Sequence, residues 1–265
     1  MKLQSSSNRN ASLEKASRIL FAFDDDTPEL GVMELARRVG LNKSTVSRFV
    51  ASLTDLGLLE RVEGGRKVRL SLRLYEIGMI AVRHRPVLGL VGSTLTRIAA
   101  RFGETAAVSV LIGGEIVFLE RAGGGRDSVR LELGRRFPAS RSAPGRVLLA
   151  GGSCEGEAKP ACATSELPLR FADELSSIRE HGFAVESGEM IEGVQCWAAP
   201  IIDRTGQPIA AFSILANSGG RRPAPSQDLV HAVTAAAAEV SRKLGYHRAM
   251  PVARSCEPHL QAEVG

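Results

Sequence analysis

Residues 35–73 constrain the fold of this chain more tightly than any other stretch. Val32, Leu35, Ala36 and Val39 recur at helical spacing, and Gly40 suits the left-handed turn that follows a helix C-terminus. Asn42 is a good N-cap for a second helix. Val46, Phe49, Val50, Leu53 and Leu56 then predict one buried stripe. The opposite face carries Lys43, Ser44, Thr45, Ser47, Arg48, Ala51 and Ser52. These side chains are short or basic, which lets a helix approach base edges and phosphates in a major groove. Gly57 stops this helix, and residues 58–62 and 67–72 read as strands around Gly64-Gly65. Two glycines between strands predict a tight primed turn. Arg61, Arg66, Lys67 and Arg69 make that hairpin basic, as a wing resting on phosphate must be. Helix, turn, helix and basic hairpin is the order of a winged helix-turn-helix, so the segment is predicted to grip duplex DNA.

Charge agrees with that reading. The net charge is +5, and residues 1–85 hold all of it, with 15 Lys/Arg against 10 Asp/Glu. Residues 37–73 alone hold nine basic and three acidic residues. A solvated basic face is the plain alternative, but excess charge on a helix-turn-helix pattern favours phosphate binding. At 265 residues the chain is long enough for two domains. No apolar run reaches the roughly 20 residues of a membrane helix. The polar start, Met1 to Ala11, lacks the apolar core of a secretory signal, so a cytoplasmic protein with reduced thiols is expected. Cys154, Cys162, Cys196 and Cys256 lack metal-ligand spacing, and no metal or cofactor is expected.

The rest of the chain reads as helices alternating with strand groups. Residues 1–11 are expected to be a disordered tail. Ser12 is the expected cap of a first helix with Leu13, Ala16, Leu20 and Phe23 on one side. Residues 12–73 form the predicted DNA-binding domain, 74–86 a linker helix, 87–248 a second domain and 249–265 a tail. Within the second domain, 87–102 is a long amphipathic helix. Residues 105–112 and 115–121 read as a hairpin around Gly113-Gly114, and 128–133 as a further strand. A short helix at 145–150 and an irregular connection at 154–169 follow. A helix at 173–181, strands at 183–186, 194–202 and 209–215, and a final helix opened by Pro225-Ser226 complete it.

These motifs resemble the IclR family of bacterial transcriptional regulators over residues 12–248. The resemblance is carried by the segment from Glu34 to Arg48, by Gly103-Glu-Thr, and by the run from Gly114 to Arg121. It continues in Gly134-Arg-Arg-Phe-Pro, from Ile178 to Glu189, and from Gly193 to Asp203. It implies an α+β chain: an N-terminal winged helix-turn-helix, a linker helix, and a C-terminal GAF-like effector domain with an antiparallel sheet flanked by helices. It also implies homodimers, often paired into homotetramers, and a pocket for a small organic or aromatic acid. By the same resemblance the pocket residues are Phe137, Arg141, Ala143, Pro144, Glu186, Val194, Cys196 and Ser213. This chain departs from the family's usual residues at Glu186, Trp197, Ser140 and Arg141.

Arg141 is the sharpest ligand candidate, since a guanidinium can hold a carboxylate through two parallel hydrogen bonds. The alternative is a surface arginine, or one paired with Glu186 or Glu189. Cys196 reads as a small buried residue touching ligand or core rather than a redox sensor. Trp197 should face the other side of the strand from Cys196. No Gly-x-Ser-x-Gly, His-Glu-x-x-His or phosphate loop is present, so an enzyme is not expected. The predicted function is a DNA-binding regulator controlled by an effector, acting on double-stranded operator DNA with no membrane partner. The alternative is a regulator whose C-terminal domain only oligomerises.

Overall fold

The computed structural model describes residues 10–24, 26–123, 128–152, 169–218 and 227–247. Residues 1–9 of the expected N-terminal tail, the C-terminal tail, most of the 154–169 connection, Pro225-Ser226, and Cys154, Cys162 and Cys256 lie outside the described residues, whereas Asn10 and Ala11, expected in the tail, belong to the start of the first helix. The chain divides into two compact units, at His84 and Arg85.

In the first unit, helix α1 (Ala11–Leu20) is capped by Asn10, whose side chain accepts from the Ser12 N–H at 3.0 Å. The cap is thus Asn10 rather than Ser12, because the carboxamide of Asn10 reaches the free amide two residues on. Strand β1 (Glu29–Gly31), helix α2 (Val32–Val39), helix α3 (Lys43–Asp55), strand β2 (Leu59–Arg61) and strand β3 (Lys67–Leu70) follow. The strands form one antiparallel sheet in the order β1-β3-β2. Three residues are too few to show alternation, which is why β1 is invisible in the sequence. Ile19, Leu35, Val46, Val50, Leu53, Leu59 and Val68 bury together. Leu56 does not join them. The helix ends at Asp55 and the chain reverses at Gly57, so Leu56 is left 63% exposed. The hairpin also differs from a two-residue primed turn. Val62 N–H bonds to the Lys67 carbonyl at 3.1 Å, leaving a four-residue connection. Gly65 N–H returns to the Val62 carbonyl at 2.9 Å, and Gly64 has φ 91°, as the third position of a type II turn requires.

Helix α4 (Leu72–Arg83) closes the unit without burying a single residue. Leu72, Tyr75, Ile77 and Ile80 are all exposed on it.

The second unit starts with helix α5 (Pro86–Phe102), begun by a proline at its first position and closed by Gly103 at φ 72°. Strands β4 (Thr105–Ile112), β5 (Glu115–Ala122) and β6 (Arg136–Pro138) lead through a 3-10 turn (Ala139–Arg141) to helix α6 (Ala143–Ala150). Helix α7 (Leu169–His181), strands β7 (Ala184–Ser187), β8 (Val194–Ile202) and β9 (Pro208–Asn217), and helix α8 (Gln227–Lys243) complete it. The strands pair antiparallel in the order β6-β5-β4-β9-β8-β7. Residues 128–133 do not form the expected strand. Val129 and Leu131 do bury, but the Val129 carbonyl accepts from the Thr105 hydroxyl at 2.7 Å instead of joining a ladder. Their alternation reflects burial without strand pairing. Helices α5 and α8 cover one face of the sheet, and α6 covers the other with α7 packed against it.

Candidate functional site

The first candidate surface is the outer face of α3. Its entry is fixed by two caps. At the end of α2, Gly40 sits at φ 66° and the Leu41 N–H reaches back to the Ala36 carbonyl at 3.1 Å, a Schellman closure. Arg18 of α1 donates to the Val39 carbonyl at the same helix end, where a cation suits the dipole. The Asn42 side chain then accepts from the Thr45 N–H at 2.8 Å and from the Ser44 hydroxyl at 2.9 Å.

Val46, Val50 and Leu53 anchor α3 in the core. Lys43, Ser44, Ser47 and Arg48 are exposed, and Thr45 is half-buried at the rim. Neither Lys43 nor Arg48 has an ion-pair partner among the described residues. Arg38, by contrast, is held by Asp24, whose acid is kept below its ordinary value first by the Thr27 hydroxyl and also by that guanidinium.

In the wing, Arg66 and Lys67 are exposed and unpaired among the described residues. Arg61 donates to the Gly65 carbonyl at 3.1 Å and braces the loop. Arg69 is different. It bonds Glu60 on β2 at 2.6 Å and lies 3.8 Å from Glu29 on β1, so acids on both neighbouring strands offset its charge.

The second candidate site is the sheet face under α6. Strand alternation sends Val194, Cys196 and Ala198 toward α6, and Trp197, Ala199 and Ile201 toward α5 and α8. Cys196 and Trp197 therefore face opposite sides, as expected. Glu186 lies directly across from Cys196, and Ser213 is one step along the next strand from Leu215, the other neighbour of Cys196. Ser109 on β4 is the diagonal neighbour of Ser213. Ser109, Ser213, Cys196 and Glu186 thus make one polar diagonal across four strands. The sequence reading missed Ser109. Its only signal is a hydroxyl at an inward position of an otherwise apolar strand.

All four are at most 2% exposed. The Ser109 hydroxyl and Oε1 of Glu186 have no hydrogen-bond partner among the described residues. The Ser213 hydroxyl neighbours the Cys196 thiol and makes no conventional hydrogen bond. Oε2 of Glu186 accepts from the N–H groups of Glu189 at 2.8 Å and Met190 at 3.4 Å. Burial pushes the Glu186 carboxyl up to about 7 against the pull of those two amides. Burial, with Glu186 beside it, holds the Cys196 thiol well above its ordinary value, so it stays a thiol.

Phe137, Ala143 and Val194 bury on this face, with Phe137 edge-on to Phe118 at 6.0 Å between ring centroids. Pro144 is buried in the first turn of α6. Gly145 allows the 3-10 turn to lie against α6, since a Cβ there would come within 2.2 Å of the Ala139 carbonyl oxygen. Arg141 stands apart. It is exposed at the end of the 3-10 turn, and the arginine that turns inward is Arg146. Arg146 donates to the Ser140 carbonyl at 3.0 Å and pairs with Glu174 at 3.0 Å and with Glu189. A lone arginine inside the apolar run 143–150 is the signal that could have marked it, because buried charges are paired.

No helix among the described residues is long and apolar enough to cross a membrane. Residues 12–63 match the family model for the IclR helix-turn-helix domain, and residues 79–242 match that for the C-terminal domain of IclR bacterial transcriptional regulators. The chain is 30% identical over 247 residues to the HTH-type transcriptional regulator XynR of Escherichia coli, covering 89% of this chain and 97% of XynR. It is 28% identical over 251 residues to the regulator KdgR of the same organism, covering 89% and 94%. Among solved structures, an IclR homologue from Microbacterium hydrocarbonoxydans complexed with 4-hydroxybenzoate superposes with a TM-score of 0.73 at 25% identity, covering 89% and 99% of the two chains. An IclR-type regulator from Silicibacter gives 0.75 at 24% identity over 91% and 99%, which speaks to the fold. With both family models matched in order along most of its length, the chain belongs to the IclR family and is a DNA-binding transcriptional regulator.

Proposed function

We propose that the regulator reads operator DNA with Lys43, Ser44, Thr45, Ser47 and Arg48 of α3, steadied by Arg66 and Lys67 of the wing, and that a small organic acid bound under α6 controls it. Arg69 adds less to the DNA contact than its neighbours, because Glu60 and Glu29 already hold it. The unpaired, exposed Lys43 and Arg48 on a helix whose other face is locked into the core carry the DNA half of the reading. The buried polar diagonal from Ser109 to Glu186 carries the effector half, since native folds seldom leave such groups without partners. The 4-hydroxybenzoate complex of the Microbacterium homologue supports an organic acid as the ligand class.

The working unit in this reading is a homodimer or homotetramer. The exposed apolar residues of α4 offer a surface for a second copy, and two-fold symmetry makes the operator a near-palindrome with half-sites one helical turn, or a multiple of it, apart. An effector changes transcription only by binding one arrangement of the dimer better than another.

A mobility-shift titration on the DNA upstream of the chain's own coding region, at two salt concentrations and with a pool of organic acids, tests both halves. The expected result is a specific shift that weakens with salt and changes with one acid. Arg48→Ala should lower affinity and reduce the salt slope by about 1 if it meets a phosphate. A specific shift that no acid alters would support a C-terminal domain used for oligomerisation alone.

A further inference from the structure

We propose that a carboxylate effector enters this site together with one proton from solvent, which resides on Oε1 of Glu186, so that this oxygen donates a hydrogen bond to the ligand. The proposal rests on the effector reading above and adds how the site tolerates an anion.

The argument begins with charge. From α6, Arg146 faces Glu186; from the β7–β8 connection, Glu189 does so; from β8, the Cys196 thiol does so. Glu174 of α7 joins through Arg146. One cation therefore stands among three carboxyl groups. Each guanidinium nitrogen of Arg146 already has an acceptor, at Ser140, Glu174 or Glu189, and two carboxylates offset its charge. Arg141 and Glu192 are exposed, and Arg179 donates to the Ala150 carbonyl at 2.6 Å. No uncommitted cation among the described residues reaches the polar diagonal. An ionised ligand meeting an ionised Glu186 would put two like charges into a buried site, which is strongly unfavourable.

The geometry supplies the remedy. Oε2 of Glu186 is fixed by two backbone amides, so it stays an acceptor. Oε1 is buried and has no partner among the described residues, and the carboxyl lies beside the Cys196 thiol of the diagonal. A proton on Oε1 removes the like charge and turns an acceptor into a donor. The hydroxyls of Ser109 and Ser213 supply further donors along the same line. Burial already holds the free carboxyl at about 7, so taking up the proton at neutral pH demands little free energy.

The test is calorimetric titration of the full-length protein with benzoate, 4-hydroxybenzoate and pyruvate, all ionised in this range, at about pH 6 and about pH 8. Wild-type affinity for the acid that binds should weaken roughly tenfold between the two. At about pH 8, runs in two buffers of different ionisation heat should show uptake of about one proton per site. Glu186→Gln keeps both polar positions but cannot ionise, so its affinity should be the same at both pH values and close to the wild-type affinity at the lower one. A thermal melt checks that this variant is folded, and the proton count on wild type stands without it. Binding with no pH dependence and no proton uptake overturns the proposal and leaves the effector reading intact. No binding of any of the three acids at either pH overturns both.

Discussion

The six-stranded sheet has two faces of opposite character. Toward α5 and α8 it sends Val108, Val117, Trp197, Ile201, Phe212 and Ile214, a mostly apolar core. Toward α6 it sends Ile116, Phe118 and Leu215, but also Ser109, Ser213, Cys196 and Glu186 in one line. A buried polar group without a partner typically destabilises a fold by about 1–3 kcal/mol. Three such groups, on Ser109, Ser213 and Glu186, lie on the α6 face, and in the effector reading proposed above they are held for a ligand at the expense of stability. The apolar face holds the domain together, and in that reading the other keeps a site ready.

The largest effect should come from breaking the apolar face. Phe212→Ala removes a fully buried ring, and urea unfolding should show a loss of about 3–5 kcal/mol. A loss no larger than that of a surface substitution would erase the contrast between the faces.

Next in size is the pH dependence of Glu186. Its folded value of about 7 lies above the 4.5 of the free acid, so the fold favours the protonated form. That stabilisation is complete below the lower value and is lost as pH rises through the higher one. Glu186→Gln escapes this loss. It should match the parent in stability near about pH 5 and exceed it by on the order of 2–3 kcal/mol near about pH 8, measured by thermal or urea unfolding.

Gly145→Ala tests how tightly the 3-10 turn lies on α6. The new methyl would meet the Ala139 backbone, which must move, and a loss of about 1–3 kcal/mol is expected. The smallest effect on stability should be that of Ser109→Ala. Deleting an orphan hydroxyl should leave unfolding free energy within about 1 kcal/mol of the parent, or raise it, while weakening acid binding up to tenfold. A strongly destabilised Ser109→Ala would mean the hydroxyl serves the fold and not a ligand.

The periodic elements were legible without the structure. Strand β8 was read over the same residues, Val194–Ile202, and β4 over Thr105–Ile112, because long alternating or apolar runs leave few alternatives. The face assignment of Cys196 against Trp197 followed from strand geometry alone. Short or irregular pieces were not legible. Strands β1 and β6 have three residues each, and the buried Val129 and Leu131 imitated a strand whose hydrogen bonds go elsewhere. At the candidate site the sequence likewise left the choice of arginine open. Arg141 and Arg146 stand five positions apart in one loop-and-helix segment, and only the packing of the 3-10 turn against Gly145 decides which one turns inward.

The sequence by itself determined the DNA-binding unit, because capping residues, glycine turns and a helical stripe act over a few neighbouring residues. Strand alternation also marked the long strands of the second domain, whose class the family resemblance implied. Tertiary structure decided what no local rule contains. It tied Arg69 to acids on two neighbouring strands, surrounded Arg146 with Glu174 and Glu189, and lined up Ser109, Ser213, Cys196 and Glu186 from four strands spread over almost half the chain. Those outcomes depend on strand order and on which buried charges find partners, and both are set when the sheet closes rather than by any one segment.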